Sequence, residues 1–136
     1  MRIIFVLLLF IGSLQALELG WSHNYQKGLK EAAKTHKLVY VLITSDSCGW
    51  CRKFERTTLQ IKAIKKRLHR EFITIHLSRD RDIIPAKFKT APIPRHYFVD
   101  AKGNTLYASL GYRDEEMFNS FMDNAEEKYQ ENREKK

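Results

Sequence analysis

Cysteine is scarce here: the 136 residues contain only Cys48 and Cys51. No multi-bridge disulfide framework can hold the chain, and the two sulfurs can pair only with each other or with another molecule. A second C-x-x-C and an H-x-x-x-H are both missing, so a closed zinc site would have two of its four ligands. Arg52, not histidine, follows Cys51, which excludes the c-type haem attachment pattern. These absences call for no cofactor and no metal. Proline is also sparse, at three residues, and no Gly/Ser/Pro-rich linker or internal repeat divides the chain. One domain with one core is expected. Past residue 16, no stretch is long and apolar enough to cross a membrane.

The first residues read as a leader. Met1-Arg2 is a short basic start, Ile3 to Ile11 is unbroken apolar, and Gly12-Ser13-Leu14-Gln15-Ala16 follows. That layout predicts a secretory signal peptide over residues 1–16, cleaved after Ala16. An uncleaved membrane anchor is the other reading of the same segment, and it would be the protein's only membrane contact. The domain should occupy 17–128 and a charged C-terminal tail 129–136. Export puts the cysteines in an oxidising compartment. Glu134-Lys135-Lys136 is not an ER-retrieval signal, so a bacterial periplasm is the expected address.

The formal charge is +8. Its densest cluster, Lys62, Lys65, Lys66, Arg67 and Arg70, flanks Ile61, Ile64 and Leu68 at helical spacing and reads as a solvated helix face. Nucleic acid is not an expected partner for an exported protein. Attraction to acidic partners or an anionic surface is the alternative use of this charge.

Periodicity predicts the elements. Trp21 to His36 reads as an amphipathic helix through Trp21, Tyr25, Leu29 and Ala32 or Ala33. Leu38 to Thr44 is rich in β-branched and aromatic residues and reads as a buried strand. A helix from Gly49 to about Thr58 and a second from Ile61 to Arg70 lead to a strand at Phe72 to Leu77. Ile83 to Lys89 reads as a short helix broken by Pro85. Arg95–Val99 and Thr105–Leu110 form a hairpin around Asp100–Asn104. Asp114 then caps a last helix with a core face of Met117, Phe118, Phe121, Met122, Ala125 and Tyr129. A helical crossover makes the first two strands parallel and the hairpin adds an antiparallel pair. The fold class is therefore α/β, a four-stranded mixed sheet flanked by helices on both faces.

Function concentrates in Cys48-Gly49-Trp50-Cys51, where the strand gives way to the helix. Ser45, Asp46 and Ser47 break the strand. At a helix start, one sulfur sits at the exposed tip and the other a turn inside. The unpaired amides there favour an anion, so the Cys48 thiolate is stabilised. A bridge between residues three apart closes a tiny loop and adds little chain-entropy stabilisation, which favours a redox pair over a staple. Asp46 and Arg52 should shift the Cys48 acidity in opposite directions. His23, His36, His69 and His96 have no ligand spacing and read as surface or packing residues.

With this strand, the Cys48-Gly49-Trp50-Cys51 site, the helix after it, Ile93-Pro94 before the third strand and the Asp100–Gly103 turn, the chain resembles thioredoxin-fold proteins from about Trp21 to Ala125. More narrowly, it is similar to exported thioredoxin-related proteins with a helix before the first strand and a Cys-Gly-Trp-Cys site. The resemblance implies a cis Pro94 beside the cysteines and a substrate shelf built from Ile93, Pro94 and Arg95. Trp50 replaces the usual proline between the cysteines and Ser47 the usual aromatic before them. Leu42 stands where thioredoxin has a buried carboxylate, and His76 matches the basic residue that accompanies it.

In that reading Cys48 attacks a disulfide and Cys51 resolves the mixed disulfide. Trp50 contacts substrate chains or simply packs at the helix start. His76 relays a proton or is a hydrogen-bonded strand histidine. The expected function is an exported thiol–disulfide oxidoreductase, chiefly a reductase of protein disulfides. Its partners are disulfide-bearing protein substrates and a membrane thiol-transferring electron donor. A disulfide oxidase or isomerase, and a binding module with little turnover, are the alternatives.

Overall fold

The computed structural model describes residues 18–89 and 92–135; the leader expected over 1–16 lies outside them. The elements are α1 (Tyr25–Thr35), β1 (Leu38–Thr44), α2 (Gly49–Arg56), α3 (Lys62–Glu71), β2 (Phe72–Ser78), β3 (Arg95–Val99), β4 (Thr105–Leu110) and α4 (Glu115–Glu134). Short 3-10 turns at Thr58–Gln60 and Ala86–Phe88 fill two connections.

Every residue of β1 is buried because the strand has neighbours on both edges. The sheet order is β2-β1-β3-β4. β2 lies parallel to β1 and β3 antiparallel, and β3 and β4 form the hairpin. This is a thioredoxin-like α/β fold with the expected four-stranded mixed sheet. Alternation along β1 splits the core in two. Leu38, Tyr40 and Leu42 meet Phe54 of α2, Ile64 and Leu68 of α3, and Phe118, Phe121 and Met122 of α4. Val39, Val41 and Ile43 face Tyr25 and Ala32 of α1, with Phe88. α1 comes close enough that a Cβ on Gly28 would lie 2.3 Å from the Ile75 Cδ1.

Several boundaries differ from the sequence expectations, each for a local reason. α1 begins at Tyr25, not Trp21, because the Asn24 side chain accepts the Lys27 amide and caps it. Ser22 instead bridges to β2, and Trp21 rests against Tyr40 and His76. Of the helix expected over Ile83 to Lys89, only the turn Ala86–Phe88 forms, with Pro85 at its start. Asp114 caps α4 as expected, accepting the Met117 amide. Met117 itself is 45% exposed. At about 100° per residue it lies outside the stripe that Phe118, Phe121, Met122 and Ala125 define. The tail expected at 129–136 is helical through Glu134, with the pairs Lys128–Glu131 and Gln130–Glu126 on its surface. In the basic cluster, Arg67 stitches α3 to α4 by bonding Glu71, Asn119 and Asp123.

Candidate active site

β1 ends at Thr44, and the loop behind it is tied to the loop after β2. The Asp46 amide donates to Asp80, and the Asp46 carboxylate accepts from Ser78 and pairs with Arg81 at 3.1 Å. Asp46 therefore spends its charge on Arg81. Cys48 follows as the N-cap of α2, and its sulfur accepts the Cys51 amide at 3.1 Å. Cys48 and Cys51 form a disulfide across a Cα–Cα distance of 5.3 Å. Cys48 is half-buried, whereas Cys51 is only 1% exposed. The outer sulfur can meet another molecule's disulfide, and the inner one is shielded from solvent.

The Ile93–Pro94 peptide is cis. The Pro94 carbonyl accepts the Gly111 amide at 2.8 Å, which draws the end of β4 alongside. Together Trp50, Pro92, Ile93, Pro94, Leu110, Gly111 and Tyr112 line an apolar cleft of about 460 Å³ beside the disulfide. Trp50 is 60% exposed. Its ring lies 6.1 Å from that of Tyr112, and the Lys53 ammonium sits 5.0 Å from the first and 4.7 Å from the second. Both contacts are within cation–π range. The Thr58 hydroxyl donates to the Arg113 carbonyl at 2.6 Å and ties this wall to the turn after α2.

Of the expected substrate residues, Trp50, Ile93 and Pro94 meet at this cleft. Arg95 does not line it. Arg95 pairs with Ile43 and lies 5.7 Å from the Tyr97 ring, on the α1 side of the sheet. Lys53, Leu110 and Tyr112 were not anticipated. Lys53 had a signal, being three residues after Trp50 on one helix. Tyr112 had none, because it reaches the cleft through Gly111, whose φ of +92° is a backbone state that favours glycine.

His76 stands opposite Leu42 in the β1/β2 register. Its Nε2 is 2.7 Å from the Thr44 hydroxyl and 3.3 Å from Glu55 Oε1. Burial, reinforced by His23, lowers its pKa to about 4, so at neutral pH the imidazole is uncharged and its approach to Glu55 is not an ion pair. Desolvation raises the Glu55 carboxyl against the opposing pull of Arg52, Arg81 and Arg56. His96 is also more than a packing residue. It is fully buried, with Nε2 2.8 Å from the Gly111 carbonyl and Nδ1 2.7 Å from the Tyr40 hydroxyl. A carbonyl can only accept, so Nε2 carries the proton and Nδ1 accepts from Tyr40. Burial lowers the His96 pKa to about 4.

Comparison with known proteins agrees with this geometry. A family model for a thioredoxin-like domain matches residues 25–126. A structure titled DsbH oxidoreductase superposes with a TM-score of 0.61 at 21% identity, covering 79% of this chain and 84% of its own. A thioredoxin from Thermus thermophilus gives 0.61 at 19% identity, over 71% of this chain and 78% of its own. A disulphide isomerase from Xylella fastidiosa Temecula1 gives 0.53 at 20% identity, over 68% and 80%. No curated protein sequence matches significantly. With its family match, its fold and a disulfide at the C-x-x-C position, the chain belongs to the thioredoxin-like family.

Proposed function

We propose that this protein is a reductase of protein disulfides that works outside the cytoplasm, in a bacterial periplasm. The observation that carries the reading is the placement of the two sulfurs: Cys48 caps α2 beside an open apolar cleft, and Cys51 is buried one turn in. In the reduced protein the Cys48 thiolate, favoured by the helix N-terminus, attacks a substrate disulfide. One substrate sulfur leaves as a thiolate, and the other stays bonded to Cys48. Cys51 then attacks Cys48, releases the second substrate thiolate and restores the internal disulfide. Two electrons have passed to the substrate. A membrane thiol-transferring donor returns them by the reverse exchange. Trp50, Ile93 and Pro94 seat the chain around the substrate cysteine. The isoleucine before the proline, as in reducing thioredoxins, and the leader expected at residues 1–16 support direction and address.

A second reading, disulfide oxidase or isomerase, has its own support. Arg52 and Lys53 lie within one turn of the disulfide and favour the thiolate form, which raises the reduction potential. Thiol trapping of the native pool, beside a potential measured against glutathione, separates the two. A reductase is recovered mostly reduced from an oxidising compartment. A mostly disulfide-bonded pool establishes the oxidase reading instead.

A further inference from the structure

Resolution of the mixed disulfide needs a place for a proton. The Cys51 sulfur attacks Cys48, the Cys48–substrate bond breaks, and the substrate sulfur leaves with the electron pair. The Cys51 S–H proton must go to a base, and the substrate thiolate takes its own proton from solvent. Cys51 is 1% exposed, so bulk water has little access to it. The strand beneath offers no acceptor at Leu42, which is fully buried and apolar.

α2 carries a carboxylate at a suitable place. Glu55 follows Cys51 by four residues, so the two share a helix face with Cβ atoms about 5–6 Å apart. Helical side chains lean over the preceding turn, which for Glu55 is the turn that holds Cys51. Its Oε1 is 3.3 Å from His76 Nε2, the nitrogen that hydrogen-bonds the Thr44 hydroxyl at 2.7 Å. Both Glu55 and His76 line a cleft with Glu18, Trp21, Gln60 and Lys65, which gives the pair a polar way out to solvent. The charged and titratable groups around the carboxyl are Arg52 and Arg56 on α2, Tyr40 on β1, His76 on β2 and Arg81 in the following loop. Glu18 and Lys65 complete them in the cleft.

We propose that Glu55, positioned by His76, accepts the Cys51 proton as the mixed disulfide is resolved and passes it to this cleft. The proposal rests on thiol–disulfide exchange through Cys48 and Cys51. A bystander carboxylate and a proton acceptor act in opposite directions, which makes the test sharp. As a nearby negative charge, Glu55 would disfavour the Cys51 thiolate and slow the step. As an acceptor, it speeds the step.

The experiment mixes the fully reduced full-length protein with excess 5,5′-dithiobis(2-nitrobenzoate) and follows thionitrobenzoate release by stopped flow from pH 5 to 9. Attack by Cys48 releases the first equivalent and resolution by Cys51 the second. Glu55→Gln should leave the first phase unchanged. Its second phase should slow about a hundredfold at pH 7, the lower end for general-base effects, and gain a steep dependence on pH. Glu55→Asp should restore part of the rate, and His76→Gln should slow the second phase less than Glu55→Gln. A second phase in Glu55→Gln that is unchanged, faster, or slowed equally at every pH overturns the proposal. If wild type lacks even the first phase, the underlying exchange reading fails instead, so the two failures are told apart.

Discussion

Acid should loosen this fold through His96, and the effect can be sized. The His96 ring is sealed between Tyr40, Phe54 and Phe118, with centroid distances of 6.0, 4.8 and 5.9 Å. Burial holds its pKa near 4, against about 6.5 in an unfolded chain. Between those values the unfolded state binds a proton that the folded state refuses. Stability from this group is therefore fully present above about pH 6.5 and is lost as pH falls towards 4. A gap of about 2.5 units, at 1.36 kcal/mol each, amounts to about 3 kcal/mol by pH 4. His76, also lowered to about 4, adds a contribution of the same sign. Glu55 works against both. Its raised folded pKa stabilises the fold below the unfolded value, and that contribution is lost as pH rises through the folded pKa. The difference between wild type and His96→Phe isolates His96. The variant keeps the ring but leaves the Tyr40 hydroxyl and the Gly111 carbonyl unpaired, a loss of about 1–3 kcal/mol for each at pH 7. Urea denaturation of the oxidised proteins from pH 7.5 to 4, read by far-UV circular dichroism, gives the difference directly. It should shrink by about 3 kcal/mol between pH 6.5 and pH 4. A difference that stays constant across pH refutes the reasoning.

Two further outcomes follow from packing. Trp50→Ala removes the exposed wall of the cleft without touching either sulfur. It should lower kcat/KM for a protein disulfide roughly tenfold, about 1.4 kcal/mol, and leave reaction with glutathione disulfide nearly unchanged; equal losses on both would contradict a docking role. Gly28→Ala gains about 1 kcal/mol of helix propensity but drives a methyl into Ile75, and overpacking of about 1–3 kcal/mol should leave a net loss in thermal denaturation.

Where local chemistry decides the structure, the residues declare it. Leu38 to Thr44 could hardly be anything but a central strand, and Asp114 marks the start of α4 by the bond it makes. Cys48-Gly49-Trp50-Cys51 stands out because a strand ends just before it. What stays hidden depends on residues far apart in sequence. Trp21, Tyr25 and Leu29 fit a helical period, but Asn24 competes for the backbone and ends the helix between them. Glu55 is one more charge on α2 until the β1/β2 register brings His76 to it. Tyr112 enters the cleft only once the hairpin folds and Gly111 adopts its left-handed turn. Polar composition made residues 129–134 read as a charged tail, yet nothing in them breaks a helix and charged or amide pairs run along its surface.

The central claim is that Cys48 attacks and Cys51 resolves. Full-length Cys51→Ser, reduced and mixed with a disulfide-bonded protein substrate, tests it in one non-reducing gel. The attacking sulfur remains and the resolving one is gone, so a covalent complex should accumulate that dithiothreitol dissolves. Cys48→Ser, with its only sulfur buried, should give none. Equal complex from both variants, or complex from Cys48→Ser alone, would contradict the assignment.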